Sequence, residues 1–233
     1  MIRCEGVTFT YPDDATALTG LDLEIGAGER VAITGRNGSG KSTLVRHWNG
    51  LLRPTAGQVL LDGRPTEGRR VADLARTVGI CLQDPGSQLF ARTCRDEVAF
   101  GPRNVGLRGA ELDSAVDAAL AAVGLEDRAG ENPYDLGLAR RKLLAIASVL
   151  SMGTPVVVLD EPTPGQDADG HARLRAIVSH LASEGRTVVA VSHDRGFIAD
   201  AFERVVVLDG GRVVADGSAA ALRQERKGSA PDG

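Results

Sequence analysis

Lysine is nearly missing from this chain. It occurs only at Lys41, Lys142 and Lys227, although Lys and Arg together number 27. A lysine inside a motif therefore argues for a specific need. Aromatic residues are sparse, at 3% of the sequence. Positive charge is not in excess: 27 basic against 31 acidic residues give a formal charge of −4. That removes the basic footprint of general nucleic-acid binding, and no nucleic-acid partner is expected. Long hydrophobic runs are also missing. Val156-Val157-Val158-Leu159 and Val205-Val206-Val207-Leu208 are strand-length, far from the roughly 18 residues a membrane helix needs. The first residues, Met1-Ile2-Arg3-Cys4-Glu5, lack the charged and apolar regions of a signal peptide. A cytoplasmic location is expected, with any membrane span supplied by other chains. Cys4, Cys81 and Cys94 are odd in number, have no metal-ligand spacing, and are expected as small buried thiols. The 233 residues, 42% of them hydrophobic, suffice for one large domain or a domain with an inserted subdomain.

Against this background one stretch stands out, Gly35-Arg36-Asn37-Gly38-Ser39-Gly40-Lys41-Ser42-Thr43. It fits G-x-x-x-x-G-K-[ST], the phosphate-binding P-loop. The apolar run Arg30-Val31-Ala32-Ile33-Thr34 precedes it as a buried strand, and residues 43–52 follow with apolar side chains at helical spacing. Glycines let the loop turn its N–H groups inward as an anion nest. The helix start adds unpaired N–H groups and a positive dipole end. Lys41 supplies charge for the outer phosphates, and the Ser42 hydroxyl can ligate Mg2+.

The rest of the chain reads as α/β. Residues 1–34 look like β-structure with a turn at Pro12-Asp13-Asp14. Tyr11 reads equally as half-buried strand packing or as a platform for an adenine ring. Strands are predicted at 57–61 and 78–82, with a short helix at 71–76 between them. Residues from about 84 to 150 become helical, with Leu112, Val116, Ala119, Leu120 and Val123 at helical spacing. Strands resume at 156–159 and 187–191, around a helix at about 170–182. A hairpin comes next, turned by Asp209-Gly210-Gly211. Strands alternating with helices imply a mostly parallel sheet. We expect one domain over 1–226, a helical insertion at about 84–150, and a frayed Gly/Ser/Pro-rich tail at 227–233.

Three strand ends carry chemistry. Asp160-Glu161 closes an apolar strand and gives one carboxylate for a metal ion and one to orient and deprotonate a water. Phosphoryl transfer asks mainly for such positioning and charge neutralisation. His193, just beyond another buried strand, can sense a γ-phosphate. Gln83, beyond a third, can offer its carbonyl oxygen to Mg2+ or to the attacking water. His47, His171 and His180 have no such placement.

With these landmarks in this order, the chain resembles the ATP-binding subunits of ABC transporters along nearly its whole length. The resemblance implies a P-loop NTPase core, an antiparallel β-subdomain and a helical subdomain. It implies ATP and Mg2+, with Tyr11 stacking on adenine and residues 35–43 with Gln83 around the phosphates. Ser42, Gln83 and Asp160 would face the metal, and Glu161 and His193 would act in hydrolysis. Asp167 matches the D-loop, and two ATP molecules would be sandwiched in an ATPase dimer. Two segments, Leu82-Gln83-Asp84-Pro85-Gly86-Ser87-Gln88-Leu89-Phe90 and Asp96-Glu97-Val98-Ala99-Phe100-Gly101-Pro102-Arg103-Asn104, look like the ATPases of energy-coupling factor importers. Those take up vitamins or nickel and cobalt ions through a transmembrane coupling protein and a substrate-binding membrane protein. The chain is then expected on the cytoplasmic face of a membrane.

One landmark departs. Where the family carries Leu-Ser-Gly-Gly-Gln, this chain has Leu136-Gly137-Leu138-Ala139-Arg140. Gly137 has no hydroxyl, and Leu138 puts a side chain where backbone should approach a phosphate. The surface offered to a partner's nucleotide is weakened, so a different ATPase subunit with a better signature is the expected partner; a homodimer is the alternative. A soluble ABC ATPase of assembly, repair or translation is the runner-up reading. Members of that class usually carry a second cassette or a long coiled-coil insertion, and this chain shows neither. A module holding ATP without turnover sits poorly with intact Asp160, Glu161 and His193.

Overall fold

The computed structural model describes residues 1–220. The expected tail at 227–233 and the domain end at 226 lie outside the described residues. In chain order the strands are β1 (Ile2–Thr10), β2 (Thr16–Ile25), β3 (Arg30–Thr34), β4 (Ala56–Leu61), β5 (Arg64–Pro65), β6 (Val78–Cys81), β7 (Val156–Asp160), β8 (Thr187–Val191), β9 (Arg204–Asp209) and β10 (Arg212–Ser218). The helices are α1 (Lys41–Trp48), α2 (Val71–Leu74), α3 (Cys94–Val105), α4 (Gly109–Val123), α5 (Leu138–Leu150), α6 (Ala168–Ser183) and α7 (Arg195–Ala201).

Two sheets form. One is antiparallel, in the order β2-β1-β4-β5. The other runs β10-β9-β3-β8-β7-β6, parallel throughout except for the β9–β10 hairpin. The short β-branched runs explain its centre: every residue of β7 and β8 is buried, as in sheets covered on both faces. Alternation then divides the side chains. Val157, Leu159, Val188 and Ala190 join an apolar cluster with α4, α5, α6 and α7. Val156, Val158, Val189 and Val191 join a second cluster with α1 and the antiparallel sheet.

Two expectations are refined. The helical stretch at 84–150 is present as α3, α4 and α5, but its apolar core is continuous with one face of the parallel sheet. Helix α5 makes the join, buried along most of its length from Lys142 to Val149. The apolar spacing over 43–52 suggested a longer first helix. It stops at Trp48, because Asn49 leaves helical geometry and Gly50 turns at φ 76°. All three cysteines are buried, and burial pushes the Cys4 and Cys81 thiols up to about 12.

Arg204 ties the two sheets together. On β9, its guanidinium forks onto Asp216 of β10 at 2.7 and 2.6 Å and reaches Glu29 at 2.7 Å and the Glu24 carbonyl of β2 at 2.9 Å. The fork holds the Asp216 carboxyl below its ordinary value. That contribution is present above the ordinary carboxylate range and is lost as pH falls through the lowered value. Asp216→Ala is expected to cost about 1 kcal/mol at pH 7 in chemical denaturation. The difference from wild type should shrink below roughly pH 4, where Asp216 lets go of Arg204.

Candidate active site

Parallel pairing brings the chemically loaded residues to one edge. Ile33 of β3 is level with Val191 of β8, Val191 with Asp160 of β7, and Leu159 with Cys81 of β6. All four strands therefore end together, at the edge where α/β sheets hold ligands. The chain leaves β3 into residues 35–40, β7 into Glu161, β8 into Ser192-His193 and β6 into Leu82-Gln83.

The loop after β3 has the form its sequence predicts. Gly35 sits at φ 144°, and a Cβ there would run into the Leu208 carbonyl oxygen of β9. Gly40 sits at φ 98°, with a Cβ position 2.5 Å from the Ala17 carbonyl oxygen. Both need the conformational range of glycine. Gly40 begins α1 without a side-chain cap, and no acidic residue sits in the first turn. The N–H groups at the start of α1 are thus left for an anion. Lys41 is buried, and its Nζ donates to the carbonyls of Gly35 at 2.8 Å and Arg36 at 2.9 Å. Burial lowers its ammonium pKa, countered by Glu161 and Asp160. Ser39 Oγ is buried without a partner. Tyr11 lies at the mouth: its hydroxyl is 2.9 Å from Thr43 Oγ1, and with residues 38–43 and Ala15–Ala17 it lines a cavity of about 360 Å3. A larger groove of about 790 Å3, between α4, α5 and α6, holds none of the candidate residues.

Ser42 and Asp160 meet across the edge. Ser42 Oγ donates to Asp160 Oδ1 at 3.1 Å, and Asp160 Oδ2 is buried with no partner. Asp160 is 2% exposed, and burial raises its carboxyl pKa, partly offset by Ser42, Arg46 and Lys41. A carboxylate oxygen left unmatched beside a hydroxyl suits a hard cation such as Mg2+, which takes few protein ligands and completes its shell from phosphate and water. Among the described residues no three His, Cys, Asp or Glu side chains gather as a metal cage.

Glu161 is the conformational exception. Its φ is 51°, a left-handed value that costs a residue with a side chain on the order of 1–3 kcal/mol. Its N–H continues the ladder to the Val191 carbonyl at 2.9 Å, and its own carbonyl accepts from Lys142 Nζ at 3.1 Å. The side chain is directed at His193, with Oε1 3.2 Å from Nε2. Burial raises the Glu161 carboxyl pKa, with His193 the largest opposing influence. A partly desolvated carboxylate beside an imidazole has the geometry of a general base.

Not every candidate residue is gathered. Gln83 is exposed, with no hydrogen bond to Ser42 or Asp160. Asp167 caps α6, accepting from the Gly170 N–H at 2.8 Å. Gly137 begins α5 in extended backbone with no cap, and Leu138 beside it is 53% exposed. Arg140 is exposed, and the Ala139 carbonyl accepts from Gln166 at 3.0 Å. The sequence reading missed two side chains. His171 stands 3.5 Å from Asp194 Oδ2, and Asp194 caps α7 next to His193. Lys142 reaches Glu161 from another element, and its one sequence signal was the rarity of lysine.

The chain was compared with known proteins. The family described as ABC transporter matches residues 18–164. A putative ABC transporter ATP-binding protein of Streptomyces coelicolor is 42% identical over 93% of this chain and 82% of its own length. The energy-coupling factor transporter ATP-binding protein EcfA of Methanothermobacter thermautotrophicus is 40% identical over 94% of this chain and 71% of its own. Among solved structures, cbiO1 from Clostridium perfringens, described as part of the ABC transporter complex cbiONQ, matches with a TM-score of 0.84 and 34% identity, covering 97% of this chain and 91% of that one. The ATP-binding cassette MJ0796, in a dimeric post-hydrolysis state with ADP and Pi, matches with a TM-score of 0.86 and 28% identity, covering 94% and 99%.

The loop geometry makes a contrast between two glycines. Gly35→Ala, with a left-handed φ and a backbone collision, is expected to cost about 3 kcal/mol and to lower the melting temperature by roughly 6–12 °C. Gly137 has φ −63° and open space around a Cβ, so Gly137→Ala should leave the melting temperature unchanged or slightly raised. Differential scanning calorimetry of both variants checks the pair.

Proposed function

We propose, from the premise that this chain belongs to the ABC transporter family and is an ATPase of the energy-coupling factor type, that it powers uptake of a vitamin or metal ion through separate membrane subunits. The ATPase half of this reading is carried by one arrangement: the Ser42–Asp160 pair, with its unmatched buried oxygen, beside the Glu161–His193 pair.

The residue roles follow from that arrangement. Residues 35–43 cradle the ATP phosphates with backbone N–H groups, and Lys41 exchanges its two loop carbonyls for phosphate oxygens. Tyr11, at the mouth of the 360 Å3 cavity, is the platform for adenine. Ser42 and Asp160 would hold Mg2+, with Gln83 as a further ligand; the ion would supply charge neutralisation on the phosphates. Glu161 orients the attacking water and takes its proton, and His193 steadies that carboxylate and reads the γ-phosphate.

The dimer reading rests on the helix starts. Among the described α-helices only α1 and α5 have neither a capping side chain nor an acidic residue in the first turn. Helix α1 serves this chain's own nucleotide, and α5 is directed at the nucleotide of a partner ATPase. Leu138 obstructs α5 and Gly137 offers it no hydroxyl, so the preferred partner is a second, different ATPase subunit that carries the better signature. Asp167 sits at the junction between them.

Docking to the membrane subunits is assigned to the segment after β6. Phe90 and Phe100 are 60% and 49% exposed there and meet edge to face at 4.7 Å. The Phe90 and Ala91 N–H groups are fixed on Glu97 Oε2 at 2.8 and 2.7 Å. An exposed aromatic pair, Phe90 on a braced loop and Phe100 on α3, suits a partner helix. No helix among the described residues is long and apolar enough to cross a membrane. The chain is read as peripheral on the cytoplasmic face, held there by its partners.

Glu161→Gln should lower ATP turnover by about 100-fold or more while ATP affinity stays within about threefold; unchanged turnover would remove Glu161 as the base. Purification from native membranes should recover a second ATPase subunit and membrane proteins, with recovery reduced by Phe100→Ala. A homodimer alone would overturn the heterodimer. In homodimers assembled from purified chain, Gly137→Ser with Leu138→Gly should raise turnover.

A further inference from the structure

The described residues contain two lysines, and both end on backbone carbonyls of the candidate site. Lys41 has its phosphate role. Lys142 has none, yet it is 8% exposed and lies on α5, far in sequence from the carboxylates. A buried ammonium without a carboxylate partner is costly, and burial lowers its pKa. Its hydrogen bond runs to the carbonyl of Glu161, at 3.1 Å.

That carbonyl belongs to a residue held at φ 51°. Asp14 and Asp62 share the left-handed region, but both lie exposed in turns. Glu161 instead sits buried at the end of β7, where an L-residue would ordinarily continue in extended form. Its N–H is tied to Val191 by the sheet and its carbonyl to Lys142 by α5. With both peptide groups pinned, the left-handed turn is fixed, and Cα then directs the side chain toward His193 rather than along the strand. An apolar side chain at 142 would leave the carbonyl buried and unpaired, and the turn free to relax.

We infer that Lys142 is a positioning residue, which holds the Glu161 backbone in its left-handed turn and so aims the carboxylate at the reacting water. Lys142 lies five residues beyond Gly137 on the same helix, a separation of about 7.5 Å along its axis. The helix whose start faces the partner's nucleotide is thus bonded directly to the base of this chain's own site. Engagement of the partner and alignment of Glu161 are two ends of one rigid element. This rests on the proposed role of Glu161 as base.

The test is a double-mutant cycle in the assembled transporter, with Lys142→Met, Glu161→Gln and both together, reading kcat, KM for ATP and nucleotide affinity. Lys142→Met is expected to lower kcat by about 10- to 100-fold with KM and affinity within about threefold. Lys142→Gln, which keeps a donor, should recover most of that loss. In the Glu161→Gln background, Lys142→Met should cost no further turnover, because both act through one carboxylate. An equal loss in that background, or full kcat in Lys142→Met, would overturn the inference. Should Lys142→Met fail to fold, Lys142→Gln against Lys142→Ala gives the same comparison. Unchanged turnover in Glu161→Gln alone would instead reject the base assignment, so the two failures are separable.

Discussion

Parallel pairing makes every strand of a sheet finish on the same side, and the site depends on that constraint. Four strands far apart in sequence end level with one another: Ile33, Val191, Asp160 and Cys81 stand on adjoining rungs. A one-residue slip of β7 against β8 would turn Asp160 to the opposite face of the sheet and separate it from Ser42. The register is held by valines and leucines packed on two faces at once. The same burial that fixes the rungs also removes water from Asp160 and Glu161, so geometry and electrostatics share one cause.

Much of this was legible in the sequence because it is local. Residues 35–43 carry their own conformational instructions in glycine, lysine and serine, and a strand before and a helix after complete the context. Asp160 and His193 were legible for a related reason: a short, fully apolar β-branched run announces a buried strand, and the residues just beyond its end must lie at a sheet edge. The family landmarks then supplied the order. Non-local features were not legible. Nothing around Glu161 says that its backbone turns left-handed, and its peptide groups are bonded to residues far away in sequence, Val191 and Lys142. Asp167 was read only as a D-loop residue, and its cap on the Gly170 N–H of α6 was not foreseen.

Helix α5 shows how one element takes on two duties. Its buried face, from Lys142 to Val149, joins the helical region to the parallel sheet. Its bare first turn opens to solvent, with Gly137, Leu138 and Arg140 exposed. A helix of this kind cannot shift at one end without the other following, because packed side chains move together. Gly137, Leu138 and Arg140 thus lie at the exposed end, while the face that reaches the Glu161 carbonyl is apolar and close-fitting around one ammonium group.

The unmatched oxygen of Asp160 bears on folding stability as well as on chemistry. A buried acceptor without a partner costs the folded state the desolvation of that atom. A cation held between Ser42 and Asp160 would answer that oxygen in the folded state alone, and mass action would then favour the folded state by an amount that grows with ligand concentration.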